Sequence, residues 1–252
     1  MMSINKTVRR ARVVTRRVTT GLNQHAISAA ETIDAQLSAE GQEPLQHTPV
    51  LKRQAALLQT RFDAYQRAQE MLDADMGQTT TARTERDKAT AELLDLVSQL
   101  SAILRTTYGP EVAAQAKLTG SIPRVPETLL SYAREVLSAT DDGLVLPEPT
   151  NRFTTPLDMA SARAELLVRL QTLEQALDQV TAELRDDQQA RAVRNDALEA
   201  WNTEVRFARD LAQAVLVRAG RKELADRLLP TDRQILGTDD MDEDDPLNDD
   251  GP

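Results

Sequence analysis

Five arginines fall within nine residues near the start of the chain: Arg9, Arg10, Arg12, Arg16 and Arg17. Guanidinium groups at this density are suited to contact phosphates, of a nucleic acid or of an anionic membrane surface. No base-reading motif accompanies them. Their competing role is the solvated face of an amphipathic helix, paired with acidic groups nearby. A second set, Arg83, Arg86, Arg191 and Arg194, recurs at equivalent places in two polar stretches and forms the other candidate binding surface.

Catalytic or metal chemistry is harder to build. The two histidines, His25 and His47, lack a nucleophile, an orienting acid or a further ligand at useful spacing. The chain has no cysteine, hence no disulfide and no thiolate site. Glycine motifs for phosphates, dinucleotides or a nucleophile elbow are absent. A di-iron bundle needs two Glu-x-x-His motifs, and the nearest approach is one Glu43/His47 pair, four apart. Asp240, Asp242 and Asp244 imitate the start of a calcium loop, but Asp245 stands where its glycine belongs and Gly251 where its glutamate does. Trp201 and Phe207 sit in or beside a helical apolar stripe and read as core. The expectation is a non-enzymatic protein with no catalytic, cofactor-binding or metal residues and no cofactor.

The segments that carry these arginines differ sharply in charge. The 252 residues have a net charge of −10 and only 3% aromatics. Residues 1–20 hold Lys6 and the five arginines with no acid, whereas residues 232–252 hold nine acids and one base, Arg233. Gly237–Pro252 is expected to be disordered, since it has too little apolar surface to offset its ordering entropy. It serves as a solubilising tail or as a ligand for a basic surface, the chain's own arm included. There is no signal-peptide pattern and no long apolar run, so a cytoplasmic protein is expected.

The chain also resembles itself. At a sequence offset of 108, Leu58 meets Leu166, Arg61 meets Arg169, Ala68 meets Ala176, Ala82-Arg83 meets Ala190-Arg191, Arg86 meets Arg194 and Val97 meets Val205. Both copies open on Thr-Pro, at Thr48-Pro49 and Thr155-Pro156, a helix-start signature in which Thr caps and Pro has no amide to orphan. They close alike at Glu111-Val112-Ala113 and Glu223-Leu224-Ala225, where the offset has grown to 112.

Apolar residues in each copy follow alternating spacings of three and four, the mark of an amphipathic, coiled-coil-like helix. The polar gaps Met76–Lys88 and Leu184–Asp196 read either as hairpin tips or as parts of one continuous helix of about 60 residues, about 90 Å long. Gly77 with Thr79–Thr81, and Asp186-Asp187, favour tips with N-caps. The expected fold is therefore all-α: two long helical hairpins forming an antiparallel four-helix bundle about 40 Å long. A short helix opens at Pro126 between the copies. An N-terminal helical arm presents Ile4, Val8, Ala11, Thr15, Val18 and Leu22 on one face, which Ala26, Ala29, Ile33 and Leu37 continue, with Gly21 as the place where it can break.

The expected organisation is a basic arm and linker (1–47), a first hairpin repeat (48–118), a connector with a short helix (119–154), a second hairpin repeat (155–231) and an acidic tail (232–252). The function expected of it is a helical scaffold or protein-interaction module that binds a partner protein or itself. The first alternative is polyanion binding, to nucleic acid or anionic lipid, through residues 1–20. The second is an enzyme or ligand-binding bundle with a polar interior site.

Overall fold

In the computed structural model, residues 6–44, 46–141, 144–149 and 156–236 are described. The regular structure among them is entirely helical: α1 (Lys6–Thr20), a π-helical turn (Gly21–Ala26), α2 (Ile27–Ala39), α3 (His47–Thr107), α4 (Pro110–Gln115), α5 (Pro126–Asp141), α6 (Met159–Arg218), α7 (Lys222–Leu228) and α8 (Asp232–Leu236). The acidic stretch expected to be disordered, Gly237–Pro252, lies outside the described residues, as do Ile4 of the arm and Thr155 of the second start signature.

The hairpins expected at Met76–Lys88 and Leu184–Asp196 are not formed. α3 runs unbroken for 61 residues and α6 for 60, so each of the two stretches expected to fold back is one long helix. The local chemistry shows why. The Thr80 and Thr81 hydroxyls donate back to the carbonyls of Met76 (2.9 Å) and Gly77 (3.1 Å), four residues earlier, instead of capping a new helix. A single helical glycine costs only about 1 kcal/mol against alanine. Such a cost does not break a helix whose apolar row continues on both sides of it.

The helix starts also differ from expectation. α3 begins at His47, ahead of Thr48-Pro49. α6 begins at Met159, and its cap is Asp158, whose Oδ1 accepts from the amides of Ala160 (3.0 Å) and Ser161 (3.3 Å). The end of α6 is marked by Gly220 at φ +72°, where Arg221 N donates to Leu216 O at 2.8 Å in a glycine-dependent C-terminal turn.

The chain divides into two compact units, and each takes one half of each long helix. Unit 1 comprises residues 1–73 and 189–252, and unit 2 residues 74–188. In place of a four-helix bundle of hairpins, each unit is built on three helical rods.

In unit 1 the rods are the α1–α2 run, the first half of α3 and the second half of α6. Its core joins Val14, Val18 and Leu22 to Leu58 and Tyr65, and to Trp201, Val205 and Leu216. Gln54 of α3 donates to Glu204 of α6, and Tyr65 further along α3 stacks on Trp201, so the two helices run antiparallel here. The N-terminal segment is thus an integral wall of the core. Val8, Ala11, Thr15, Val18, Leu22, Ala26, Ala29 and Ile33 are buried, as their periodicity required, whereas Leu37, expected on the same face, is only half-buried near the end of α2.

In unit 2 the rods are the second half of α3, α5 and the first half of α6. Leu93, Val97 and Leu104 pack with Leu129, Ala133 and Val136 and with Leu166 and Leu173. Each fully buried leucine contributes about 1.5–3 kcal/mol of transfer free energy.

Many pairs of positions of α3 and α6 related by the offset of 108 are buried in both members, although Ala68 and Ala89 are buried where Ala176 and Ala197 are half-buried. Leu58 and Leu166, Phe62 and Leu170, Tyr65 and Leu173, Leu72 and Val180, Ala82 and Ala190, Leu93 and Trp201, and Val97 and Val205 are all buried. A polar contact repeats as well. Arg12 of α1 donates to Gln66 (3.3 Å), while Arg134 of α5 donates to Glu174 (2.7 Å), which stands 108 residues after Gln66.

Candidate functional site

The arginines of α1 divide by the face they occupy. Arg9, Arg12 and Arg16 are exposed, at spacings of three and four, and so share one side of the helix. Arg10 and Arg17 are half-buried. Arg10 Nε donates to Gln234 O at 3.1 Å, and its Nη2 to Arg233 O at 3.3 Å. It thereby holds the carbonyl end of α8, where a cation is favoured. Burial pulls the Arg17 guanidinium below its ordinary pKa. Two of the five arginines therefore serve packing, and three face outward.

Arg83, Arg86, Arg191 and Arg194 are not at a tip, because no tip exists. All four lie in the interior of long helices, Arg83 and Arg86 in unit 2 and Arg191 and Arg194 in unit 1. Arg86 pairs with its own neighbour, Asp87, at 2.6 Å. Arg194 is half-buried, and its charge acts on the buried Tyr65 hydroxyl. Desolvation raises the Tyr65 pKa most, Arg194 opposes that, and Asp73 adds to it.

The remaining candidates are structural. Trp201 is buried, donates from Nε1 to Thr15 Oγ1 at 2.9 Å and stacks on Tyr65 with ring centroids 6.2 Å apart. Phe207, expected in or beside the core stripe, is instead 57% exposed. His25 lies in the π-helical turn and His47 opens α3. Among the described residues, no group of three or more His, Cys, Asp or Glu is placed to hold a metal ion. No helix among them is long and apolar enough to cross a membrane.

Phe207 belongs to a feature that the sequence reading missed. On the unit 1 half of α3, Val50, Leu57, Ala64 and Met71 are all exposed, and they recur at every seventh position. On the unit 1 half of α6, Val193, Ala200, Phe207 and Ala214 recur with the same spacing, three of them exposed and Ala200 half-buried. A seven-residue repeat keeps side chains on one helical face with a drift of only about 20° per repeat. Each stripe lies immediately beside the buried row, one place out of register with it.

The two stripes run along the α3 and α6 rods of unit 1. Between these rods Arg61, which lies between Leu57 and Ala64 on the surface of α3, lines a polar groove with Asp196, Glu199, Ala200, Thr203 and Glu204 of α6. α1 lies on the other flank of α3, where Arg12 meets Gln66. The charges beside the two stripes differ in balance. Arg53, Arg61 and Arg67 outnumber Asp63 and Glu70 along the α3 stripe, and Asp196, Glu199, Glu204 and Asp210 outnumber Arg206 and Arg218 along the α6 stripe.

The corresponding positions of unit 2 carry no such stripe. At the same offset of 108, α6 has Asp158, Glu165, Thr172 and Gln179, and α3 has Glu85, Glu92, Gln99 and Thr106. The architecture therefore accepts polar and charged side chains at these places. Comparison with protein-family models, curated proteins and solved structures finds no match to this chain.

Proposed function

We propose that the chain is an internally duplicated helical scaffold that works as a protein-interaction module, not as an enzyme. Its partner surface is the α3/α6 face of unit 1. The observation that carries this reading is the exposure of Val50, Leu57, Met71, Val193 and Phe207 along the α3 and α6 rods of unit 1, where the corresponding positions of unit 2 bear polar residues. Large apolar side chains repeatedly exposed on one helical face favour an interaction surface. The duplication is supported by the shared burial of corresponding positions and by the repeated contact of Arg12 with Gln66 and Arg134 with Glu174.

The test replaces stripe residues with those unit 2 uses at the same places, Leu57→Glu and Phe207→Gln. Affinity capture from the source cells should retain a protein, another copy or a different chain, with the wild type and lose it with the double variant. Identical captures by both would overturn the reading.

A second reading rests on a separate observation. Arg9, Arg12 and Arg16 are exposed on one face of α1, a geometry that suits a polyanion such as nucleic acid or an anionic lipid surface.

A further inference from the structure

We infer that the partner of the unit 1 groove is a second copy of this chain, docked by a two-fold axis so that α3 of each copy lies on α6 of the other. The inference rests on the reading of that groove as an interaction surface and adds the identity of its occupant.

Charge selects the occupant. The α3/α6 face offers two apolar stripes of different electrostatic character. Bases predominate beside the α3 stripe, with Arg53, Arg61 and Arg67 against Asp63 and Glu70, and acids beside the α6 stripe, with Asp196, Glu199, Glu204 and Asp210 against Arg206 and Arg218. A uniformly acidic partner would satisfy α3 and be repelled along α6, and a uniformly basic partner would do the reverse. The surface that satisfies both carries the same two stripes in exchanged positions. A two-fold operation on this groove supplies that surface, because an isologous interface brings each residue set against its complement twice.

Spacing points the same way. A strict seven-residue repeat is the pattern of a helix packed along another helix, with the apolar seam inside and charges beside it. From Val50 to Met71 the seam extends about 32 Å at about 1.5 Å per residue. With two such seams per copy, the contact is two helices wide and is formed by four helices. The seam is also removable without harm to the fold, since unit 2 has Glu165 and Gln99 where unit 1 has Leu57 and Phe207.

The experiment is sedimentation velocity with light scattering on the full chain, from low micromolar to submillimolar concentration. The wild type should approach twice its 27.9 kDa mass as concentration rises. The Leu57→Glu/Phe207→Gln variant should remain at 27.9 kDa with unchanged helical circular dichroism. Leu167→Glu, an exposed apolar position of unit 2, should leave association intact. Arg61→Glu should weaken association at least tenfold, and a mixture of Arg61→Glu with Glu199→Arg chains should recover part of it. A wild type that stays monomeric throughout, or a dimer indifferent to Leu57→Glu/Phe207→Gln, would overturn the inference. A monomer that still captures a different protein through this groove refutes the second copy while leaving the interaction surface standing. A chain that captures nothing refutes both.

Discussion

Asp158 shows how one side chain sets an element and its pH response. It stands just before α6, accepts from the Ser161 hydroxyl at 2.6 Å, and also accepts from the Ser161 and Ala160 amides. These bonds stabilise the charged form, the Ser161 hydroxyl most, so the carboxyl titrates below its ordinary value. A depressed folded pKa contributes stability that is present above the unfolded value and lost as pH falls through the folded one. Asparagine accepts the same amide bonds without a charge and without titrating. Asp158→Asn should therefore melt below the wild type at neutral pH. The gap should close as pH falls below the usual aspartate value of about 3.9. Paired thermal melts across that range are the measurement, and a gap independent of pH would show that the charge contributes nothing. The cap was legible as a class of signal but misplaced by sequence. Thr-Pro is a start signal with a mechanism, yet Asp158, two places past Pro156, makes the bonds that begin α6.

The long helices teach a similar lesson about elements. Their apolar rows, the short helix at Pro126 and the inward face of the N-terminal segment were all readable, because periodicity reports burial directly. Whether the rows turn back at the polar gaps was not readable, because Gly and Thr serve turns and tolerate helices alike. Packing decides between them, and Leu72 and Ala82, on either side of Gly77, are both buried along one continuous helix. Gly77 itself is exposed, and a Cβ there would meet nothing within 4 Å. Gly77→Ala should therefore stabilise the protein by about 0.5–1 kcal/mol, the backbone entropy glycine costs in a helix. Chemical denaturation followed by circular dichroism measures it. Destabilisation would signal a turn at this position and reinstate the hairpin.

At the scale of the whole molecule, the candidate surfaces were only partly legible. The arginines of residues 9–17 were visible as a cluster, but not their division into outward Arg9, Arg12 and Arg16 and inward Arg10 and Arg17. The unit 1 groove was missed because Val50, Leu57 and Met71 stand one place before the buried Leu51, Leu58 and Leu72, and so merge with the core row. Charge distribution then decides what the α1 face can do. Eight of the ten net negative charges lie in residues 237–252, which follow directly on α8, and α8 is held against α1 by Arg10. If the α1 face binds a polyanion, acids joined to α8 along the chain would compete for it at high effective concentration. Deleting residues 237–252 should strengthen binding of short duplex DNA or anionic vesicles. Arg9→Glu/Arg12→Glu/Arg16→Glu should abolish that binding with or without the tail. Removing residues 1–20 would be the wrong variant, since Val8, Val14 and Val18 belong to the core of unit 1. For DNA, three phosphate contacts predict a salt slope of about −3 in log K against log salt. Negligible binding by the tail-deleted chain, equal to that of the triple variant, would end the polyanion reading and leave the α1 arginines to solvation and to α8.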